Sequence, residues 1–472
     1  MINRLRHARR AAPLCLLACF AWAQVRSVAD AAAVDATTVD AAAVDGIALE
    51  WLASTAAPSV SIAIVLDGRL AYAKAYGAAR LNPRVRSTPS TRYAIDSVSK
   101  EFTAAALLLL AEQGRLSLDD PISRWFPELR AAGAVTLRQL LTHTGGIRDY
   151  WPQDFLTPEM TRPTTVPAII DEWAQRPLDF APGTDWQYSN TGYVLAGAVV
   201  QKVSDEPLFE FLDRHVFQPL HMARVTLYSP AAEDLAHDAA PYTRRGLGPV
   251  VPAPAEGPGW LFGAAELAMQ PSDLAAWDIS LIDRSLLKSE SYRQEFEPIV
   301  LADGRAQDYA LGLAVKTVNG RLRIGHDGAG SGFLADNRIW PKERAAIVVL
   351  TNNDWADPGA LSDRIAFAVL EPTPEEARVR SLFRSIQRGT VDRGMLSEIG
   401  NFYMTPAVLE DLRSSLGRLG PARLIELEHE SRRGGLTTRR WKILCRNARL
   451  EAVERSQADG EIEEFMVAKR DD

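Results

Sequence analysis

The chain has 472 residues, 47% hydrophobic and 24% charged, with a formal net charge of −7. Its length leaves room for one large domain and a smaller one, and the composition is that of an ordinary globular protein. The acidic balance supplies no field for nucleic acid or anionic lipid, three cysteines exclude a disulfide scaffold, and seven scattered histidines, none paired at metal-ligand spacing, imply no metal.

Residues 1–23 read as a secretory signal peptide. Arg4, Arg6, Arg9 and Arg10 make a positive start, Ala11 to Ala21 is apolar, and Ala21-Trp22-Ala23 is a small-x-small cleavage site. The apolar run is too short for a permanent membrane span. Leu16-Leu17-Ala18-Cys19 also fits the pattern before a lipidated cysteine in exported bacterial proteins, so two expectations stand: free export, periplasmic or secreted, and a lipid anchor at Cys19. Without residues 1–23, 49 basic and 60 acidic residues remain, a net of −11. Cys445 is then the sole cysteine, which rules out an intrachain disulfide. Residues 24–45, with Ala-Val-Asp at 33–35 and again at 43–45, read as a low-complexity leader.

A large domain is expected over 46–372. A helix over 46–55 precedes Ser59–Val65 and Leu70–Tyr76, which flank Asp67-Gly68 as a β-hairpin. Ala94-Ile95 leads into an apolar helix from Phe102 to Ala111, whose Leu107–Leu110 run predicts burial. Thr136 caps a short helix ending at Leu141. Helices are predicted at 166–175, 192–203, 207–215, 264–268 and 272–282, with 228–258 an irregular, Pro-rich excursion. From Tyr309 the apolar period becomes two, through Leu311, Leu313 and Val315, then Leu322 and Ile324. It continues after Phe333 and in Ala345–Leu350, and a helix at 359–370 closes the region. Early hairpin and late strands then complete one antiparallel sheet, with helices between. Beyond a Pro-rich linker at 371–379, residues 373–472 predict a small α+β domain without a catalytic constellation. Its helices fall at 377–386 and 405–417, and alternating stretches at 423–429, 437–445 and 449–467 are its strands.

Three short patterns carry chemistry. Ser97 and Lys100 are three residues apart, one turn of helix, on one side of it. A serine needs a base within hydrogen-bond reach, and a desolvated lysine can be that base because burial lowers its pKa. Taken alone, Ser-x-x-Lys is a loose pattern, repeated at Ser285-Leu286-Leu287-Lys288, and it fits a helix cap beside a solvated lysine as well. Tyr188-Ser189-Asn190 follows a Pro182-Gly183-Thr184 turn. A tyrosine beside a lysine can share a proton with it, leaving tyrosinate or neutral lysine to accept from Ser97, while Asn190 offers both a donor and an acceptor. In Ile324-Gly325-His326-Asp327-Gly328-Ala329-Gly330, on a predicted strand, the glycines admit a substrate backbone, with His326 as a donor to a substrate carbonyl or carboxylate. A strand-edge N–H near Ala329, with that of Ser97, can form an oxyanion hole.

Ser-x-x-Lys, Tyr-x-Asn and His-x-Gly, in that order and about 90 and about 140 residues apart, form a joint pattern over residues 50–370. It resembles the serine β-lactamase and penicillin-binding-protein group, specifically its class C β-lactamases, D-alanyl-D-alanine carboxypeptidases and serine esterases. Leu140-Leu141-Thr142-His143-Thr144-Gly145-Gly146 and Pro219-Leu220-His221-Met222 add to the likeness. The resemblance implies an α/β (α+β) fold, a mixed antiparallel sheet flanked by helices with an all-helical lobe and the site between. It implies Ser97 as nucleophile, Lys100 and Tyr188 as the general-base pair, Asn190 as a positioning group, and Gly328 and Ala329 beside the substrate. No cofactor is implied, and the partner is a small-molecule or peptide substrate; oligomeric state stays open. Ser285-x-x-Lys288 is set aside because no Tyr-x-Asn follows it, and His143 reads as a structural helix-end residue.

There is one departure. Class C β-lactamases carry Lys-Thr-Gly where this chain has His326-Asp327-Gly328, so a permanent positive charge for a substrate carboxylate is missing. Esters and D-amino-acid peptides or amides are therefore favoured over β-lactams. A rival reading, a sensor acylated at Ser97 that does not turn over, uses the same residues.

Overall fold

A computed structural model of the chain describes residues 39–153, 155–228 and 237–470. The expected signal peptide, Cys19 and leader residues 24–38 lie outside the described residues. Helix α1 (Ala41–Thr55) starts five residues earlier than predicted, inside the Ala-Val-Asp repeat. Asp40 caps it, accepting from the N–H groups of Ala42 and Ala43, both at 3.1 Å. Asp45, in the same repeat, accepts from Tyr72 (2.7 Å), Tyr76 (2.6 Å) and Lys74 (2.9 Å). These hydrogen bonds, the Tyr76 one foremost, hold its carboxyl down at about 2.

Strands β1 (Ser59–Leu66) and β2 (Arg69–Leu81) turn at Asp67-Gly68, both with positive φ, as the hairpin reading predicts. Then come β3 (Arg84–Arg86), β4 (Tyr93–Ala94) and α2 (Ser99–Glu112), whose first turn buries Ser99, Lys100, Glu101 and Thr103 along with the apolar run. Helix α3 (Leu137–Leu141) opens with a reciprocal capping box between Thr136 and Gln139. It shares the helical lobe with α4 (Val166–Ile169), α5 (Asn190–Ser204) and α6 (Leu208–Leu212). After β5 (Thr226–Leu227) and the β6 (Tyr242–Thr243) and β7 (Val251–Pro252) ribbon, β8 (Leu267–Met269) stands where a helix at 264–268 was predicted. Pairing with both β4 and β5 outweighs the helix propensity of that Ala-rich stretch. Helices α7 (Pro271–Asp283) and α8 (Ser289–Glu295) lead to β9 (Ala314–Val318), β10 (Arg321–Gly330), β11 (Phe333–Trp340), β12 (Ala345–Thr351) and α9 (Pro358–Val369). The first of these strands begins at Ala314, not at Tyr309 as the apolar period suggested.

The main sheet is antiparallel, in the order β3-β2-β1-β12-β11-β10-β9, so hairpin and late strands do close one sheet. Every residue of β1 and β12 is buried, because the sheet has a core on each face. Ala63, Val65, Val348 and Leu350 join the core of α2 and α5, whereas Ile62, Ile64, Ile347 and Val349 join that of α1 and α9. The strict alternation explains why neither strand has a polar side. Behind α2, Glu101, Asp278 and Glu295 are all fully buried. Trp277 Nε1 donates to Glu101 (2.6 Å) and Asn337 Nδ2 to Asp278 (2.9 Å), whereas neither carboxyl oxygen of Glu295 has a partner. Burial pushes Glu101 up to about 8 and the other two well above the carboxylate range, so the cluster is uncharged at neutral pH.

Residues beyond 373 form α10 (Pro374–Ile386), α11 (Glu398–Tyr403), α12 (Pro406–Leu416) and an antiparallel sheet of β13 (Leu424–Arg433), β14 (Leu436–Cys445), β15 (Ala448–Ser456) and β16 (Ile462–Lys469). They enclose a core of their own around Leu382, Phe383, Trp441 and Phe465. Polar contacts join it to the rest: Glu376, the capping-box residue of α10, binds Arg321 at 3.0 Å and accepts from Asn319, and Arg423 pairs with Glu50. No described helix is long and apolar enough to cross a membrane.

Candidate active site

Ser97 sits in a single 3₁₀ turn, Asp96–Val98, between β4 and α2, and α2 itself begins at Ser99, three residues before the predicted start at Phe102. Asp96 takes φ +46, a conformation that Asp tolerates better than most residues, and this turns the Ser97 side chain toward the cavity. Lys100, in the first turn of α2, is completely buried. Its Nζ donates to Ser97 Oγ (3.0 Å), Asn190 Oδ1 (2.8 Å) and the Ala264 carbonyl (2.9 Å). The same helix turn holds the segment that supplies this carbonyl: Ser99 Oγ accepts from Leu267 N at 3.1 Å, and Thr103 donates to the Gly263 carbonyl at 2.7 Å. Desolvation lowers Lys100 to about 7 against the opposing pull of Asp149, Asp96 and Asp327. About half of the amine is then neutral at pH 7 and can accept a proton.

Asn190 is the first residue of α5, behind its Ser189 cap. Asp149 fixes which way its amide points: the carboxylate accepts from Asn190 N (3.0 Å) and Nδ2 (3.2 Å), leaving Oδ1 for the lysine. The Tyr188 ring lies 4.8 Å from Lys100 Nζ, and its hydroxyl interacts with Ser97. Burial keeps this phenol well above 10, with the Ser97 contact pulling the other way, so it is protonated at neutral pH. Of the two candidate bases, the lysine is the one with a substantial proton-free fraction at neutral pH. His143 has positive φ at the end of α3 and accepts from Ser189 N at 3.1 Å through Nδ1. Its ring packs 4.2 Å from that of Tyr188, burial makes it a weak base and Ser189 N occupies its Nδ1, so it supports the tyrosine rather than taking the Ser97 proton.

β9 pairs with β10 only as far as Gly325, so from His326 onward the outer edge of β10 faces the Ser97 turn without a strand partner. Gly328 lies so close to that turn that a Cβ there would collide with the Ile95 carbonyl, and one on Gly330 would meet the Asp96 carboxylate. Ala329 is exposed between them and lines the cavity. His326 differs from the expectation of a donor to substrate. Its Nδ1 is 2.5 Å from the Asp327 carbonyl and must carry the proton, and its Nε2 accepts from the Tyr309 hydroxyl at 2.9 Å. Both ring nitrogens are thus used within the protein. Burial depresses the ring to about 4, which leaves it uncharged.

These groups open onto a cavity of about 1440 Å³, walled by Ser97, Tyr188, Asn190, His326 and Ala329 with residues 149–153 and 306–309. Ser97, Lys100, Tyr188, Asn190, Gly328 and Ala329 lie together around this cavity. Sequence reasoning missed Asp149, Tyr309 and the Ala264 carbonyl; only Asp149, just after the Gly145-Gly146 turn, had a nearby signal.

The sequence matches the family model described as Beta-lactamase over residues 39–370. Protein flp of Staphylococcus aureus (strain N315) is 30% identical over 309 residues, 62% of this chain, and the chain spans 59% of that relative's length. Among solved structures, a D-stereospecific amidohydrolase from Streptomyces sp. superposes with a TM-score of 0.58 at 26% identity, covering 69% of this chain and 98% of the other. The octameric penicillin-binding protein homologue from Pyrococcus abyssi superposes at 0.63 with 23% identity, covering 92% of this chain and 97% of that one. With the seven-stranded antiparallel sheet, the helical lobe and the site between them, the matches lead to one conclusion: the chain belongs to the Beta-lactamase family of penicillin-binding-protein-like serine hydrolases.

Proposed function

We propose that the chain is an exported serine hydrolase that works through an acyl-enzyme on esters and D-amino-acid peptides or amides, with β-lactams as poorer substrates. One observation carries the reading: Lys100, wholly buried, lies 3.0 Å from Ser97 Oγ with its pKa lowered to about 7. Ser97 Oγ attacks the scissile carbonyl and its proton passes to neutral Lys100, with the Tyr188 hydroxyl bridging toward the leaving group. The oxyanion is held by the N–H groups of Ser97 and Ala329, and Gly328 allows the edge of β10 to approach. The tetrahedral intermediate expels the alcohol or amine, which takes the proton. Water, activated by the same lysine, then releases the acid and restores Ser97. The amidohydrolase neighbour supports amides as substrates. Residues 1–23 act as the signal, with free export or an anchor at Cys19. Residues 373–472 act as an accessory unit; hydrolysis retained by a chain ending at 372 supports this, and its loss from a folded truncate refutes it.

The test is intact mass of wild type and Ser97→Ala after brief exposure to an activated ester, a D-Ala-D-Ala peptide and a cephalosporin, with product followed in parallel. Turnover or an adduct absent from Ser97→Ala supports the mechanism. A stable adduct without release makes the protein a sensor. Neither adduct nor turnover on any of the three refutes the catalytic reading.

A further inference from the structure

The strand that faces the nucleophile carries a negative charge where an anionic substrate would need a positive one. Side chains alternate along β10, so Gly325, Asp327 and Ala329 share one face and His326 and Gly328 the other. His326 is buried, whereas Asp327 is exposed at the rim of the sheet, where it lines both the cavity that holds Ser97 and a smaller one toward α9 with Asp354, Trp355 and Asp357. Among the described residues, the Asp327 carboxylate has no hydrogen-bond or ion-pair partner. It is nevertheless close to the reacting groups, for its charge acts on Lys100, Tyr188, Tyr309 and His326.

The cations on the cavity wall stand too far along the strand to neutralise it. Lys316 is in register with Arg323, four residues and about 13 Å from Asp327 along β10. Arg245 follows β6, which is tied through Tyr242 N to the Gly332 carbonyl, past the opposite end of β10. Lys100 is nearer, but its three hydrogen bonds are all made inside the protein. His326 supplies no charge, since Tyr309 and the Asp327 carbonyl occupy both of its nitrogens. Among the described residues, a substrate group lying along β10 beside the scissile carbonyl therefore meets the Asp327 carboxylate, with Asp308 also unpartnered on the same wall, and no free cation.

We infer that Asp327 sets the charge selectivity of the site: its substrates are aminoacyl esters or amides whose free ammonium lies against Asp327, and a carboxylate in that place is rejected. The inference names the substrate class for the hydrolase reading and rests on it. A unit charge at about 6 Å in a half-exposed site changes binding by about ten- to a hundredfold.

Three p-nitroanilides with one leaving group test it on the full-length protein: D-alanine (ammonium), N-acetyl-D-alanine (neutral) and N-succinyl-D-alanine (carboxylate). In wild type kcat/KM falls in that order, with about a ten- to a hundredfold gap between the first and last. Asp327→Asn collapses the gap and Asp327→Lys reverses the order. Ratios are compared, so a general loss of activity in either variant cancels. A wild-type preference for the succinyl substrate, or a gap unchanged in Asp327→Asn, overturns the assignment. Ser97-dependent hydrolysis of p-nitrophenyl acetate checks the hydrolase reading separately. If that fails, calorimetry of D-alaninamide and N-succinyl-D-alaninamide with Ser97→Ala still decides: tighter binding of the ammonium supports the selector, and equal or reversed affinities refute it.

Discussion

If Lys100 takes the proton from Ser97, the acylation rate must rise with pH along a limb centred near neutrality. An exposed lysine ionises at 10.5, and burial brings Lys100 to about 7. The ratio of neutral to charged amine is then about three-thousandfold higher than it would be in water, a difference of about 5 kcal/mol between the two protonation states. Desolvation is the largest contribution, and the carboxylates of Asp149, Asp96 and Asp327 recover part of it for the charged form. The protonated lysine is no base, so activity is lost below the limb and reaches a plateau above it. kcat/KM for a neutral activated ester, measured from about pH 5 to about pH 9 with the Ser97→Ala background subtracted, reports the pKa in the free enzyme. Lys100→Arg keeps a cation but cannot give up its proton; it is expected to lose about 10²- to 10⁴-fold and to abolish the limb. A wild-type rate still climbing without a plateau at about pH 9, or the same limb persisting in Lys100→Arg, would refute the assignment.

Other consequences follow from the same geometry. The cluster of Glu101, Asp278 and Glu295 is uncharged when folded and ionises at lower pH when unfolded, so its contribution to stability is complete below about pH 4 and is lost as pH rises toward about 8. Glu295→Met removes two unpartnered oxygens, and its advantage in melting temperature over wild type is expected to grow from pH 5 to pH 8; a pH-independent difference contradicts this. Gly328→Ala drives a Cβ into the Ile95 carbonyl, displaces β10 from the nucleophile turn and lowers kcat/KM by about 10²-fold with circular dichroism unchanged. Wild-type rates in this variant count against a close strand edge. Glu376→Ala takes one charged hydrogen bond from Arg321, which keeps Glu343 at 3.5 Å and the Glu371 carbonyl, and costs about 2 kcal/mol in denaturant unfolding while leaving ester hydrolysis intact.

The parts of this molecule written in local sequence were legible, and those made by distant partners were not. Asp67-Gly68 between alternating strands announced the hairpin, and two spaced motifs named Ser97, Lys100, Tyr188 and Asn190, which the fold brings together around Lys100. The stretch Ala264–Ala268 has the composition of a helix, yet its end becomes a strand because Tyr93–Ala94 and Thr226–Leu227 lie on either side of it. Residues 41–45 looked like leader because nothing in their repeat reveals that Tyr72 and Tyr76 point their hydroxyls at Asp45. His326 looked like a substrate donor because Tyr309, which occupies its Nε2, lies 17 residues away in sequence with no pattern to link them. Main-chain groups such as the Ala264 carbonyl leave no trace in side-chain identity at all.

The pairing of β1 with β12 has a kinetic consequence. Val60 lies opposite Thr351 and Val65 opposite Ala346, so the centre of the sheet joins segments almost 300 residues apart. The long loop between them must close before that pairing yields any free energy, which places this domain among slow, high-contact-order folders. Until Thr351 has been synthesised, the eight-residue strand β1 has only its hairpin partner beside it, and α9, which helps cover one of its faces, has yet to follow. During that interval the strand has an exposed edge, which is a liability for association between chains.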